Sequence, residues 1–459
     1  MTRETKAAEI DLIVNKTRLF FQSNQTKAID FRLKQLKQLK RLLIENEQEI
    51  YAALKKDLNK SSDEAYLSEF SPVLQEVEHH IKQLKNWSAK KRVPTPIYIF
   101  PSTSYIQPEP LGVTLIVAPW NYPFQLIFVP LIGAISAGNC AVVKPSLATP
   151  KVAELIETLL QRYFDPQYIA VVLGERATNQ YLFQIPFDLI FFTGSPYLGR
   201  IMMEAAAKNL TPVVLELGGK SPCIVDQSAQ IDLAAKRIAW GKTINAGQTC
   251  TAPDYLFIHA SLKEQFVTSF QKHIRSFFGE NPAESDFYPK IVHQAATTRL
   301  VSYLEEGTIE CGGNYSIEDQ YIEPTIISNI SEESNVMQAE IFGPILPLFT
   351  FTDLGEVIQF INKRPKPLAL YYFGNQKNGN RVLEETSSGG ACINDVLIQV
   401  ANHHLPFGGV GNSGIGAYHG QKSFETFSHY KSIVSSSKRI DFSFKYVPFK
   451  LLKWIKKVI

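Results

Sequence analysis

The residues best able to do chemistry are Cys250, which closes Asn245-Ala246-Gly247-Gln248-Thr249-Cys250, and Glu216, which opens Glu216-Leu217-Gly218-Gly219-Lys220 a short way upstream. A thiol attacks as its thiolate. With a free pKa of roughly 8.5 it is only a few per cent ionised at neutral pH, so a catalytic site is expected to lower that value. The thioester that results must then be released by an activated water, and a carboxylate is the natural base for that step. A lone cysteine is by default a small buried hydrophobe, and a strand-end carboxylate can simply accept backbone N–H groups. Taken together they define covalent catalysis, and by themselves they also suit a cysteine hydrolase or acyltransferase that uses no cofactor.

The elements that must hold this pair read as α/β. Gly112-Val113-Thr114-Leu115-Ile116-Val117-Ala118 is a buried strand, residues 124–137 form a helix stopped by Gly138, and Cys140-Ala141-Val142-Val143-Lys144 is the next strand. A helix over 151–163 follows, then strand-like runs at 168–173, 188–192 and 212–217. After Gly218 the alternation begins again and continues to about Gly411, which gives two α/β units with largely parallel sheets. The first ninety or so residues read as helical. Leu33, Leu36, Leu39, Leu43 and Ile44 recur at helical spacing, and Lys34, Lys37, Lys40 and Arg41 form a solvated face. From Pro94 to Pro110 the chain is proline-rich, and the alternation Ile97-Tyr98-Ile99-Phe100 predicts extended chain leaving the first domain.

Composition excludes several classes. A chain of 459 residues, 45% hydrophobic and 20% charged, suits a globular protein of two or three domains. Its 47 basic and 44 acidic residues nearly cancel to +3, which gives no support to a nucleic-acid-binding surface. Cys140, Cys223, Cys250, Cys311 and Cys392 are widely spaced with no Cys-x-x-Cys pair, so neither a disulfide framework nor a metal site is expected. Together with a polar N-terminus that lacks an apolar signal core, this predicts a cytoplasmic protein. No run approaches the roughly 20 apolar residues needed to span a bilayer.

Three stretches could hold phosphate. Gly409-Val410-Gly411-Asn412-Ser413-Gly414 formally matches the dinucleotide fingerprint, but no clear strand precedes it, so it reads as a tight structural or substrate-side loop. Gly219-Lys220-Ser221 ends like a triphosphate loop, yet Val214 stands where the first glycine belongs. Gly194-Ser195-Pro196-Tyr197-Leu198-Gly199 is better placed, after a strand and at the start of a helix over about 196–208, where free N–H groups and the helix dipole would face a pyrophosphate. An ordinary β–α turn would look the same. Lys144 ends a strand and could reach a ribose hydroxyl or phosphate, or simply be a surface lysine.

Seven segments in order resemble the aldehyde dehydrogenase superfamily, and its shorter class 3 branch in particular. They are Pro119-Trp120-Asn121-Tyr122-Pro123, Lys144-Pro145-Ser146, Phe192-Thr193-Gly194-Ser195, Glu216-Leu217-Gly218-Gly219-Lys220, Gly247-Gln248-Thr249-Cys250, Glu340-Ile341-Phe342-Gly343-Pro344 and Pro406-Phe407-Gly408-Gly409. The class 3 flavour comes from Ala252-Pro253-Asp254-Tyr255, from the 409–414 loop and from the lack of a long N-terminal extension. The resemblance implies a Rossmann-like cofactor domain (1–93 and 111–217), an α/β catalytic domain (218–411), an extended oligomerisation element (94–110 and 426–440) and a C-terminal tail (441–459). It implies a homodimer that oxidises aldehydes with NAD or NADP, or with both.

The site residues follow from the same resemblance. Cys250 would be the nucleophile, Glu216 the base for the hydrolytic water, and Asn121 with the Cys250 N–H the oxyanion donors. Glu340 would hold the nicotinamide ribose, with Phe342 beside the ring, and Trp120 would line the passage. Lys144, Ser195 and Gly199 would hold the adenosine ribose and pyrophosphate, with Thr193, Gly194, Leu217 and Gly218 completing the cofactor contact. Tyr66 and Phe407 fall in substrate-side segments and favour medium or long aliphatic, or aromatic, aldehydes. A CoA-acylating relative, in which a thiol replaces water, is the alternative within the family, and Glu216 favours hydrolysis.

One position departs from many relatives. Leu147 follows Lys144-Pro145-Ser146 where a glutamate would bind the ribose 2′-hydroxyl and repel a 2′-phosphate, so use of both NAD and NADP is expected. The end of the chain, 449–459, is a basic amphipathic helix candidate. Leu451, Leu452, Ile455, Val458 and Ile459 share one face, and Lys450, Lys453 and Lys457 another. Packing on the dimer, gating of the substrate entrance, and contact with an anionic membrane surface are its three readings.

Overall fold

Every residue of the strand Val113–Val117 is buried, as expected where helices cover both faces of a parallel sheet. In the computed structural model, which describes residues 4–448, this strand lies inside a six-stranded sheet ordered Gly414–Ile415, Val213–Leu217, Leu189–Gly194, Val113–Val117, Cys140–Lys144, Ile169–Val171. All neighbours are parallel except the short edge strand Gly414–Ile415. The chain steps outward through Cys140–Lys144 to Ile169–Val171, then returns to the other flank of Val113–Val117 with Leu189–Gly194. That reversal opens a crevice at the carboxyl ends of the strands, the usual ligand position in doubly wound folds.

A second sheet of seven strands follows, ordered Thr308–Cys311, Thr325–Ser328, Ile345–Phe351, Tyr255–His259, Pro222–Val225, Ala369–Phe373, Gly390–Ile393. It is parallel apart from the edge strand Thr308–Cys311. A third, three-stranded antiparallel sheet joins Lys91–Val93, Thr103–Pro110 and Ser428–Ser435, with Ser428 opposite Pro110 and Ser435 opposite Thr103.

The expected helices form. In Ile29–Glu45, Leu36, Leu39, Leu42 and Leu43 are fully buried, whereas Ile44 turns off the stripe and is 55% exposed. Gly138 ends Gln125–Ala137 at φ 93°, a left-handed position that favours glycine. The extended reading of Ile97-Tyr98-Ile99-Phe100 does not hold, because Ile97–Ile99 is a 3₁₀ turn closed by the Ile99 N–H on the Pro96 carbonyl at 3.1 Å. Pro96 presets a turn dihedral, and no sheet face is present to bury the alternating side chains, so Ile97 and Phe100 stay exposed. The extended chain begins at Thr103 instead.

After Gly411 the chain returns to the first sheet. The helix Gly420–Thr426 packs so tightly on Gln125–Ala137 that a Cβ at Gly133 would lie 2.9 Å from the Phe427 ring. All five cysteines are free thiols. No helix among the described residues is long and apolar enough to cross a membrane, and the amphipathic candidate 449–459 lies outside those residues.

Candidate active site

Strand ends deliver the expected groups to one place. Thr193 and Gly194 pair in register with Glu216 and Leu217 on the neighbouring parallel strand, so all four arrive together at the carboxyl edge. Asn121 follows Val113–Val117 by a short turn on the same edge. They line one cavity of about 890 Å³ with Trp120, Ser195, Gly218, Cys250, Glu340, Phe342 and Phe407. The cavity therefore draws its walls from both large sheets.

Cys250 is held by an unusual turn. Asn245, Ala246 and Gly247 have φ of 51°, 52° and 73°, left-handed conformations that cost a non-glycine residue roughly 1–2 kcal/mol each. Side chains fix the turn. Asn245 Nδ2 donates to the Asn121 carbonyl at 2.8 Å and to the Gln248 carbonyl at 3.0 Å, and its backbone N–H donates to Glu64 Oε1 at 2.8 Å. Gln248 Nε2 donates to the carbonyls of Asn245 and Lys290, each at 3.0 Å, while its Oε1 accepts the Val292 N–H at 2.9 Å. Gly247 admits no side chain, since a Cβ would stand 2.3 Å from the Gly343 carbonyl oxygen. The motif before the cysteine is thus a backbone clamp, and it is joined to the Asn121 loop.

That loop has a second anchor. Lys60 and Glu69 form a fully buried ion pair at 2.6 Å, and Lys60 Nζ also donates to the Asn121 carbonyl at 3.0 Å. The other Glu69 oxygen accepts the N–H groups of Phe124 and Gln125 at 3.1 and 2.9 Å, capping Gln125–Ala137. The Asn121 side chain is consequently held in place. One amide N–H goes to the Gln248 carbonyl at 3.1 Å, and Oδ1 has no partner.

The protonation states run against one expectation. The Cys250 thiol opens partly to the cavity but is enclosed by protein, and burial pushes it up rather than down, with Glu340 and Glu216 adding to the rise. Its own N–H and that of Thr251 face the sulfur and oppose this, but desolvation prevails. Glu216 is buried with both carboxyl oxygens unpartnered, and burial lifts it well above the usual carboxylate range. Burial thus disfavours the charged form of both groups.

Glu340 sits half-buried on the opposite wall. Burial, then Asp254, raises its carboxyl well above the usual range, and it accepts the Gly219 N–H. A Cβ at Gly218 would lie 1.9 Å from Glu340 Oε2, so only glycine lets this carboxyl occupy its place. Lys220 fastens the segment by pairing with Asp254 and donating to the Val336 and Ala339 carbonyls at 2.7 and 3.0 Å. Asp254 in turn accepts the Ile341 N–H at 2.9 Å. Phe342 meets Trp120 edge-on at 5.3 Å.

A second cavity, about 530 Å³, adjoins the first through Ser195 and includes Lys144, Leu147, Glu175, Arg176 and Tyr197. Lys144 is buried, and desolvation lowers it to about 8, with Glu175 and Glu4 opposing. Ser195 caps Pro196–Ala207, whose N-terminus points between the two cavities. Gly199 lines neither. Its missing side chain lets the helix close on Leu217, which would be 2.6 Å from a Cβ. Tyr66 also stays out of the cavity, 45% exposed and stacked on Phe70 at 6.0 Å.

The 409–414 loop is a structural cover. Gly414 pairs with Glu216 across Gly414–Ile415, and a Cβ at Gly409 would meet the Ser413 carbonyl oxygen at 2.1 Å. Sequence reasoning missed Lys60, Glu64 and Glu69, along with Tyr418, Asn412 and Arg200, which line the main cavity. Nothing in the spacing of Lys60 and Glu69 marks them as buried. Asp254 carried a signal, four residues past the cysteine.

A dinucleotide fits these residues. The capped helix N-terminus, the buried Lys144, the Glu340 cradle kept open by Gly218 and the unpartnered Thr193 hydroxyl lie along two joined cavities. Comparison with known proteins agrees with this geometry. The aldehyde dehydrogenase family model matches residues 1–433. The 4,4'-diaponeurosporen-aldehyde dehydrogenase of Staphylococcus aureus is 48% identical, covering 96% of this chain and 97% of its own. A dimeric NADP-preferring aldehyde dehydrogenase of Canis lupus familiaris is 44% identical, covering 93% and 94%. The solved substrate-bound state of Staphylococcus aureus AldH superposes with a TM-score of 0.96 at 46% identity, covering 98% of this chain and 99% of that one. The chain belongs to the aldehyde dehydrogenase family, and it is an enzyme of NAD(P)-dependent aldehyde oxidation.

Removing one member of the Lys60–Glu69 pair tests the anchor. Lys60→Met should lower stability by about 3–5 kcal/mol, because it leaves a buried carboxyl alone, and should reduce kcat more than it changes KM. The double variant Lys60→Met/Glu69→Leu should regain most of the stability in a denaturant titration without regaining kcat.

Proposed function

We propose that the protein oxidises apolar aldehydes to carboxylic acids through a thioester on Cys250. The observation that carries this reading is the meeting of Cys250, Asn121, Glu216 and Glu340 around one cavity. The Cys250 thiol gives up its proton to water and its sulfur bonds to the aldehyde carbon, while the carbonyl π pair moves to oxygen and makes it an oxyanion. The free amide N–H of Asn121 and the Cys250 backbone N–H receive that charge, each donor worth roughly 3 kcal/mol in the transition state. An oxidised nicotinamide, when bound, supplies a positive charge that favours the thiolate and accepts the hydride leaving the carbon. Glu216, once ionised, takes a proton from the water that attacks the thioester. The carbon–sulfur bond then breaks and the acid departs. Glu340 and Gly218 would hold the nicotinamide end of such a cofactor, and Lys144, Ser195 and the helix N-terminus would hold the adenosine end.

Cofactor choice turns on the second cavity. Leu147 offers no carboxylate there, and Lys144 and Arg176 offer positive charge, which supports use of NADP as well as NAD. Glu175 on the same wall keeps the balance from moving wholly to the phosphorylated cofactor. The aromatic lining of Trp120, Phe342, Phe407 and Tyr418 favours medium or long aliphatic, or aromatic, substrates. The relative named for 4,4'-diaponeurosporen-aldehyde is consistent with this class. We infer a homodimer built on the Ser428–Ser435 edge, supported by the exposed Tyr430 and Val434 along it and by the dimeric relative. Five free thiols support a reducing, cytoplasmic setting.

Cys250→Ala should fold and lose aldehyde oxidation, read as absorbance at 340 nm; retained turnover would overturn the mechanism. The ratio of kcat/KM for NAD over NADP should stay within tenfold. A preference above about a hundredfold, roughly 2.7 kcal/mol, would contradict the role given to Leu147. Glu216 offers a pH test. Its raised folded value means that the stability linked to this group is present below the usual carboxylate range and is lost as pH rises toward that value. Glu216→Gln should therefore raise Tm at pH 8, with a gain that shrinks as pH falls toward the usual carboxylate range. It should also cut kcat by roughly a hundredfold or more.

A further inference from the structure

Three imidazoles meet at the edge of the first domain, outside the catalytic cavity. His79 comes from the helix Ser71–Trp87, while His403 and His404 come from the segment leading to Phe407. The ring centroids stand 4.3 Å apart for His79 and His403, 5.3 Å for His79 and His404, and 4.4 Å for His403 and His404. One nitrogen from each ring can be chosen so that all three lie within 4.8 Å of one another.

We propose that His79, His403 and His404 form a binding site for a divalent transition metal of the zinc class, which ties Ser71–Trp87 to the segment carrying Phe407. The neighbouring His80 shows what a structural histidine looks like here. Its two nitrogens are satisfied by Ser136 Oγ at 2.9 Å and Glu76 Oε1 at 3.0 Å. No ring nitrogen of the three clustered histidines has a hydrogen-bond partner among the described residues, so their lone pairs and N–H groups are uncommitted.

The carboxylate of Glu76, on the same helix as His79, is committed to His80 and to the Gly420 N–H at 2.7 Å, so it does not compete as a ligand.

Imidazole ligands at 2.0–2.1 Å in a tetrahedron stand roughly 3.4 Å from one another. The three nitrogens lie within 4.8 Å of one another, so binding would draw them together. His79 and His403 are half-buried and His404 is exposed, which leaves the fourth position to water. Three nitrogen ligands select zinc, cobalt, nickel or copper over magnesium and calcium, which prefer oxygen. The consequence reaches the substrate passage. Phe407 lies just beyond His404 and lines the main cavity, and its ring stacks on His419 at 5.2 Å. A metal here would therefore stiffen one wall of that passage.

The test uses the full chain carrying Cys250→Ala, so that the catalytic thiol does not compete for the ion. Titration with zinc chloride at pH 7.5 should show one ion bound per chain at micromolar concentration and a rise in Tm, with no response to magnesium chloride. Adding His404→Gln, an exposed position that leaves the fold intact, should weaken zinc binding at least tenfold and abolish the rise in Tm. His79→Asn should do the same. Absence of stoichiometric zinc binding, or binding that survives both substitutions, would overturn the site.

Discussion

The carbonyl oxygen of Asn121 is the point on which the catalytic geometry depends. It accepts Lys60 Nζ from the N-terminal helical region and Asn245 Nδ2 from the turn that presents Cys250. Asn121 lies on the loop after Val113–Val117 of the first sheet and Cys250 in the turn before Tyr255–His259 of the second, so one backbone oxygen ties the Asn121 loop to the turn that carries Cys250. Two consecutive left-handed residues before Gly247 are costly, and the side chains of Asn245 and Gln248 offset that cost by bonding the same loop. Strain at the turn and the joining of the two sheets are therefore one arrangement.

Burial sets the chemistry of the cavity. It removes Cys250, Glu216 and Glu340 from water with too few hydrogen bonds to compensate, and each of the three moves toward its neutral form. The thiolate is the species that reacts with oxidants and metals, so burial of Cys250 lowers its reactivity. Burial raises the Glu69 carboxyl as well, but there Lys60 and the N–H groups of Gln125 and Phe124 oppose the rise.

Much of this was legible in the sequence because parallel strands end where ligands bind. Thr193, Gly194, Glu216 and Leu217 read as strand ends, and their shared register brings them together without any other information. Lys60 and Glu69 were not legible, because a helix-end lysine and a glutamate near an aromatic look like solvated charges until distant chain covers them. The thiol's upward shift was hidden for the same reason: burial is a tertiary property, and it outweighs the local N–H donors. Ile97–Ile99 misled through real alternation that meets no sheet, whereas the glycine spacing of 409–414, set apart from a dinucleotide loop because no clear strand precedes it, serves close backbone packing. Tyr66 and Gly199 show that a family segment can sit beside a site without facing it.

The central claim is that the hydride leaves before the carbon–sulfur bond does, with Glu216 needed only for the release. Rapid-quench mass spectrometry on Glu216→Gln, mixed with an aliphatic aldehyde and NAD or NADP, tests this most directly. The account predicts a burst of one reduced cofactor per chain and an acyl group retained on the peptide containing Cys250. Steady turnover with Cys250 unmodified, or an acyl group on any other residue, would contradict it.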